Sequence, residues 1–163
     1  MTRYLVFFVI DLATRKVEIA GIHADPCETQ MVQWARNLTD AEDGFLKGKR
    51  ILIHDRDPLF TKKFSETLRA AGVRALKLPK RAPNLNPYSE RYVLSIKSEC
   101  LDKMIFFGEK QIRYAVEQYN AHYLRERPHR VLGRRIIEPE KPMPTEGPVL
   151  CRERLGGLLK TYY

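Results

Sequence analysis

The chain has 163 residues, 44% hydrophobic and 30% charged, which fits one packed domain and excludes wholesale disorder. Lys and Arg number 29 against 20 Asp and Glu, and the net charge of +9 is spread over both halves of the chain. A basic globular surface points to a polyanionic partner, with nucleic acid the first candidate. Cys27, Cys100 and Cys151 are too scattered for a disulfide framework or a metal knuckle, which suits a reducing cytoplasm. No apolar run approaches the roughly 20 residues of a membrane helix, so no membrane partner is expected.

Tyr4 to Ile10 is a short apolar run rich in aromatic and β-branched residues and predicts a strand buried on both faces. Thr14-Arg15-Lys16 reads as a turn, and Val17 to Ile22 as the second strand of a hairpin. Asp25-Pro26 predicts a helix start with Asp25 as its cap, after which Met31, Trp34, Ala35 and Leu38 share one side. Beyond a loop marked by Asp43-Gly44 and Gly48, Ile51-Leu52-Ile53 predicts a short buried strand ending in the polar run His54 to Pro58. Thr61 to Ala71 predicts a helix with Phe64, Leu68 and Ala71 inward, stopped by Gly72, and Val73 to Leu78 another strand. Pro79 to Pro87 is an irregular loop. Tyr88 to Phe107 reads as one helix, with Tyr92, Val93, Ile96, Cys100 and Leu101 on one side. A further helix from about Glu109 to Arg125 gathers Ile112, Ala115, Val116 and Tyr119. After Arg135 the prolines 139, 142, 144 and 148 predict an extended segment, with Leu155 to Tyr163 a short docked end. The order β-β-α-β-α-β-α-α predicts an α/β fold, a mixed sheet with helices on its faces.

Two carboxylates stand out by position. Asp55 follows a strand at its C-terminal end, where open α/β sheets place functional groups. Glu90 opens a helix after a Pro/Asn loop. Each also has an ordinary structural reading, Asp55 as a turn cap before Pro58 and Glu90 as a complement to the helix dipole. Arg125, Arg127, Arg130, Arg134 and Arg135 form a basic cluster opposed by Glu126 alone, readable as a solvated helix end or as phosphate contacts. Lys77, Lys80 and Arg81 border the loop before Glu90 and are the next DNA-contact candidates. The four histidines and three cysteines lack zinc-site spacing.

Ile51-Leu52-Ile53-His54-Asp55-Arg56-Asp57-Pro58-Leu59-Phe60 resembles the strand bearing the second aspartate in the integrase and transposase superfamily that uses three acidic residues. Asn84-Leu85-Asn86-Pro87-Tyr88-Ser89-Glu90-Arg91 resembles that family's loop and helix bearing the catalytic glutamate, and the interval of 35 from residue 55 to residue 90 is the family's own. Val9 to Val17 is similar to its second strand. Tyr119-Asn120, Arg127-Pro128-His129 and Leu132-Gly133 resemble the closing helix and tail of insertion-sequence transposases.

The resemblance runs from about residue 4 to 140 and implies an RNase H-like fold whose first strand, with the family's first catalytic aspartate, lies upstream of Met1. It implies an N-terminally truncated catalytic core over residues 1–140 and an extended C-terminal segment over 141–163. Asp55 and Glu90 would then be the catalytic, metal-holding residues. Asp57 ranks behind Asp55, because the family pattern aligns with the first of the pair. Asp11 is a candidate substitute for the missing carboxylate, although its neighbours match the end of the second strand. The implied activity is DNA integration or transposition by cleavage and transfer of DNA strands. It would use two Mg²⁺ or Mn²⁺ ions about 3.5–4 Å apart in an intact relative. The implied setting is a cytoplasmic homo-oligomer acting on DNA. The alternative is a catalytically inactive, truncated DNA-binding remnant of a transposase.

Overall fold

The computed structural model describes residues 2–80, 86–139 and 147–162. These residues form an α/β structure of six strands and four helices, in the order β1 (Tyr4–Ile10), β2 (Val17–Ala24), α1 (Glu28–Leu38), β3 (Ile51–His54), α2 (Lys62–Ala70), β4 (Arg74–Lys77), α3 (Pro87–Glu99), α4 (Glu109–Arg125), β5 (Cys151–Arg154) and β6 (Leu159–Tyr162). Among them no helix is long and apolar enough to cross a membrane. The strands pair two by two, β1 with β2, β3 with β4 and β5 with β6. The single mixed sheet expected from the element order is therefore not seen among the described residues. The chain divides into two compact units, Met1–Phe8 with Glu18–Pro87, and Val9–Val17 with Tyr88–Tyr163.

In the first unit, α1 and α2 pack on each other and α2 packs on β4. Phe7 is the hub of an aromatic cluster, with ring centroids 5.9 Å from Trp34, 5.8 Å from Phe60 and 6.2 Å from Phe64. Met31, Ala35 and Leu38 of α1 and Phe64 and Leu68 of α2 complete this core. Asp25 does not cap α1. Its backbone takes a left-handed turn, φ +51°, so the helix starts later, at Cys27, whose N–H donates to the Gln30 side chain at 3.2 Å. Thr61 does cap α2, its hydroxyl accepting the Phe64 N–H at 3.3 Å. Gly72 ends that segment at φ +81°, and Ala71 is exposed rather than inward. Gly21 of β2 leaves room for the Trp34 indole, which a Cβ there would overlap.

β3 and β4 are parallel, with Ile51 beside Arg74 and His54 beside Lys77. β3 is not buried on both faces as its composition suggests: Leu52 and His54 point inward, while Ile51 and Ile53 are 47% and 37% exposed. In β1 no residue is exposed, but Phe7 and Val9 alone are fully buried.

In the second unit, α3 and α4 share a core of Tyr92, Ile96, Cys100, Ile112, Ala115, Val116, Tyr119 and Tyr123. The expected single helix from Tyr88 to Phe107 stops at Glu99. Cys100 is wholly buried, with its Sγ 3.9 Å from the Ala115 carbonyl, and the chain turns there through a short 3-10 segment, Leu101–Lys103. Phe107, which a continued helix would have carried to the side of Tyr92 and Ile96, emerges instead 87% exposed. The C-terminal segment forms an antiparallel hairpin, β5 with β6, turned by Leu155, Gly156 and Gly157 at positive φ.

Candidate functional site

His54 fixes the end of β3. Its ring is buried, lies 4.5 Å from the Phe60 ring and hydrogen-bonds through Nδ1 to the Asp55 carbonyl at 2.7 Å. Burial pushes its pKa down, so the imidazole is neutral and its N–H donates to that carbonyl. The Asp55 side chain emerges exposed beyond this anchor. One carboxylate oxygen accepts the Asp57 N–H at 3.0 Å, and Asp57 in turn accepts the Leu59 N–H at 2.8 Å. The ordinary reading of Asp55 as a turn residue is thus correct, carried by its Oδ1 atom. The Leu78 N–H bonds the His54 carbonyl at 2.9 Å, so exposed Lys77 and Lys80 follow at the same end of the parallel pair.

Glu90 sits exposed in the first turn of α3, where the helix dipole favours a carboxylate. Pro87 is the first helical residue, a position that needs no N–H. Arg81 and Asn84-Leu85 of the preceding loop lie outside the described residues. Asp55 belongs to the first unit and Glu90 to the second.

Asp11 has a structural task. Its Oδ1 accepts the Ala13 N–H at 2.8 Å and the Thr14 N–H at 3.3 Å, and its backbone closes the β1–β2 turn by bonding Lys16 and Arg15. Among the described residues no group of three or more His, Cys, Asp or Glu comes together as a metal cage. Asp55 and Asp57 in the first unit, and Glu90 in the second, are each exposed carboxylates, the ligand type that hard divalent cations take.

The arginine cluster divides. Arg125, Arg130, Arg134 and Arg135 are exposed. Arg127 instead ties α3 to the end of α4, bonding Glu99 at 2.6 Å with its guanidinium 5.6 Å from the Tyr123 ring centroid. His129 is buried beside it, its Nε2–H on the Tyr123 carbonyl at 2.7 Å, and burial lowers its pKa. Arg127-Pro128-His129 thereby closes the helical core. Asn120 does similar work, accepting from the Tyr92 hydroxyl at 3.2 Å and donating to the Val17 carbonyl at 3.1 Å.

Two groups escaped sequence reasoning. Arg15 in the β1–β2 turn stacks on Tyr88, its Cζ 3.4 Å from the ring centroid. Glu126, only 3% exposed, gathers Arg154 at 2.6 Å, Arg152 at 3.3 Å, His122 at 3.1 Å and Thr161 at 3.4 Å, and so binds the β5–β6 hairpin to α4. Tyr88 for Arg15, and Arg152, Arg154 and Thr161 for Glu126, lie far away in sequence, and only His122 is local, one helical turn before Glu126.

Residues 71–136, less than half of the chain, match the family model described as the integrase core domain, which supports a likeness to an integrase catalytic core. The match includes Glu90 and all five arginines from Arg125 to Arg135 but not Asp55. No curated protein matches the chain. No solved structure matches it either.

Proposed function

We propose that this chain acts on DNA as an integrase-type core of RNase H-like fold, cleaving and joining DNA strands with a divalent metal. The observation that carries the reading is the integrase core domain match over residues 71–136, with Glu90 inside it. In this reading the core spans residues 1–140, residues 141–163 are an appended segment, and the chain works on DNA as a homo-oligomer.

Asp55 and Glu90 would hold Mg²⁺ or Mn²⁺. When bound, a pair of such ions activates the attacking oxygen and stabilises the leaving one in an in-line displacement at phosphorus. The protein's own part is positioning. His54 pins the strand end from which Asp55 projects. The first turn of α3 presents Glu90. Lys77 and Lys80 at one end of the β3–β4 pair, Arg125 at the end of α4, and Arg130, Arg134 and Arg135 beyond it would take the phosphates. Arg81 joins them on sequence grounds. Arg127, engaged by Glu99, would contribute less than the exposed arginines.

A second reading, DNA binding without catalysis, is favoured by one observation: Asp11, the candidate third carboxylate, is committed to its turn. Nicking and strand transfer on a labelled duplex separate the two. The proposal expects activity with Mg²⁺ or Mn²⁺ that Asp55→Asn and Glu90→Gln each reduce at least about a hundredfold, the scale expected of metal-holding carboxylates. Salt-sensitive DNA binding with no metal-dependent cleavage would instead support the binding-only reading.

A further inference from the structure

The turn between β1 and β2 is tied to α3, to α4 and to the segment that follows α4, all within its own unit. Lys16 pairs with Glu138, and the Val17 carbonyl accepts from Asn120, which also bonds Tyr92 of α3. A third tether reaches the first turn of α3: the Arg15 guanidinium lies 3.4 Å from the centroid of the Tyr88 ring. Arg15 is held for this contact from its own side as well. Its backbone is in the left-handed region at φ +66°, its N–H bonds the Asp11 carbonyl at 2.8 Å, and its Nη1 donates to the Leu12 carbonyl. A non-glycine residue at positive φ is uncommon and persists where its surroundings fix it.

The contact matters because of where it falls. The first turn of a helix has no i−4 partners for its N–H groups and frays most readily. Tyr88 and Glu90 share that turn. A cation stacked on Tyr88 therefore limits the positions that Glu90 can take. We infer that Arg15 is a positioning residue for Glu90, acting through its stack on Tyr88. The inference rests on the reading of Glu90 as a metal ligand and goes beyond it by giving the hairpin turn control over that carboxylate.

The sign of the effect separates positioning from simple electrostatics. Removing a positive charge near a cation site strengthens cation binding by Coulomb's law. Removing a group that positions the ligand weakens it. The test is the Mn²⁺ dissociation constant of the full chain, read by electron paramagnetic resonance of the free ion. Arg15→Gly is the informative variant, because glycine accepts the positive φ and the turn survives. Arg15→Gly is expected to weaken Mn²⁺ binding about fivefold, the order of a missing cation–π stack. Arg15→Lys should restore part of that affinity, and amide exchange at Ser89 to Arg91 should rise in Arg15→Gly. In a Glu90→Gln background Arg15→Gly should have no further effect on Mn²⁺. Unchanged or tighter binding in Arg15→Gly, or an equal weakening in both backgrounds, overturns the inference while leaving Glu90 as a ligand. Unchanged binding in Glu90→Gln itself overturns the reading on which it rests.

Discussion

Glu126 keeps a carboxylate inside the protein because four side chains converge on it. Burial alone would raise its pKa, but Arg154, His122 and Arg152 more than offset this and hold it at about 2, against an ordinary value of 4.5. A depressed carboxyl contributes stability that is present above pH 4.5 and is lost as pH falls toward 2. Glu126→Gln should therefore lower stability near neutral pH and flatten the acid limb of a urea-unfolding series between pH 4.5 and 2. An unchanged acid limb would show that the charge is not what binds the hairpin to α4. His54 and His129 act at higher pH. Both are depressed below the ordinary 6.5 by burial, so their contribution is present above that pH and declines below it. In sequence, Glu126 stands out only as the lone charge opposing five arginines. Its partners Arg152 and Arg154 lie 26 and 28 residues on, past the prolines, where no periodicity links them to α4.

At the scale of elements, hydrophobic spacing together with turn residues located the four described α-helices and four of the six described strands. It failed where tertiary packing set the boundary. The apolar series Tyr92, Ile96, Cys100 continues smoothly in sequence, yet Cys100 is buried under α4 and the chain turns there. The β5–β6 hairpin was hidden for a related reason: Cys151 to Arg154 is a polar strand held by ion pairs rather than by an apolar face. Gly21 shows the reverse dependence, a residue whose identity is set by a neighbouring helix. Gly21→Ala should cost about 2 kcal/mol, the range of overpacked cores, as the added methyl displaces Trp34. A lowered urea midpoint with an unchanged m-value is the expected result. A neutral substitution would mean that the indole has room to move.

At the scale of the whole molecule, the charge of +9 and the exposed basic residues predict DNA binding that is strongly dependent on salt. Every phosphate left without its cationic side chain should reduce the slope of log K against log salt by about 0.9. Replacing Arg130, Arg134 and Arg135 together with alanine should then lower it by roughly two to three, read by fluorescence anisotropy. Arg127→Ala should act mainly on stability, since it removes the Glu99 partner. A slope unaffected by the triple change would move the DNA surface elsewhere. Asp55 and Glu90 stood out in the sequence as candidates because short local patterns surround both, and one belongs to each compact unit.

The central proposal is that Asp55 and Glu90 are metal-holding residues, and Mn²⁺ affinity tests it most directly. Asp55→Asn and Glu90→Gln are each expected to weaken Mn²⁺ binding strongly. Mn²⁺ binding that neither substitution changes would contradict it.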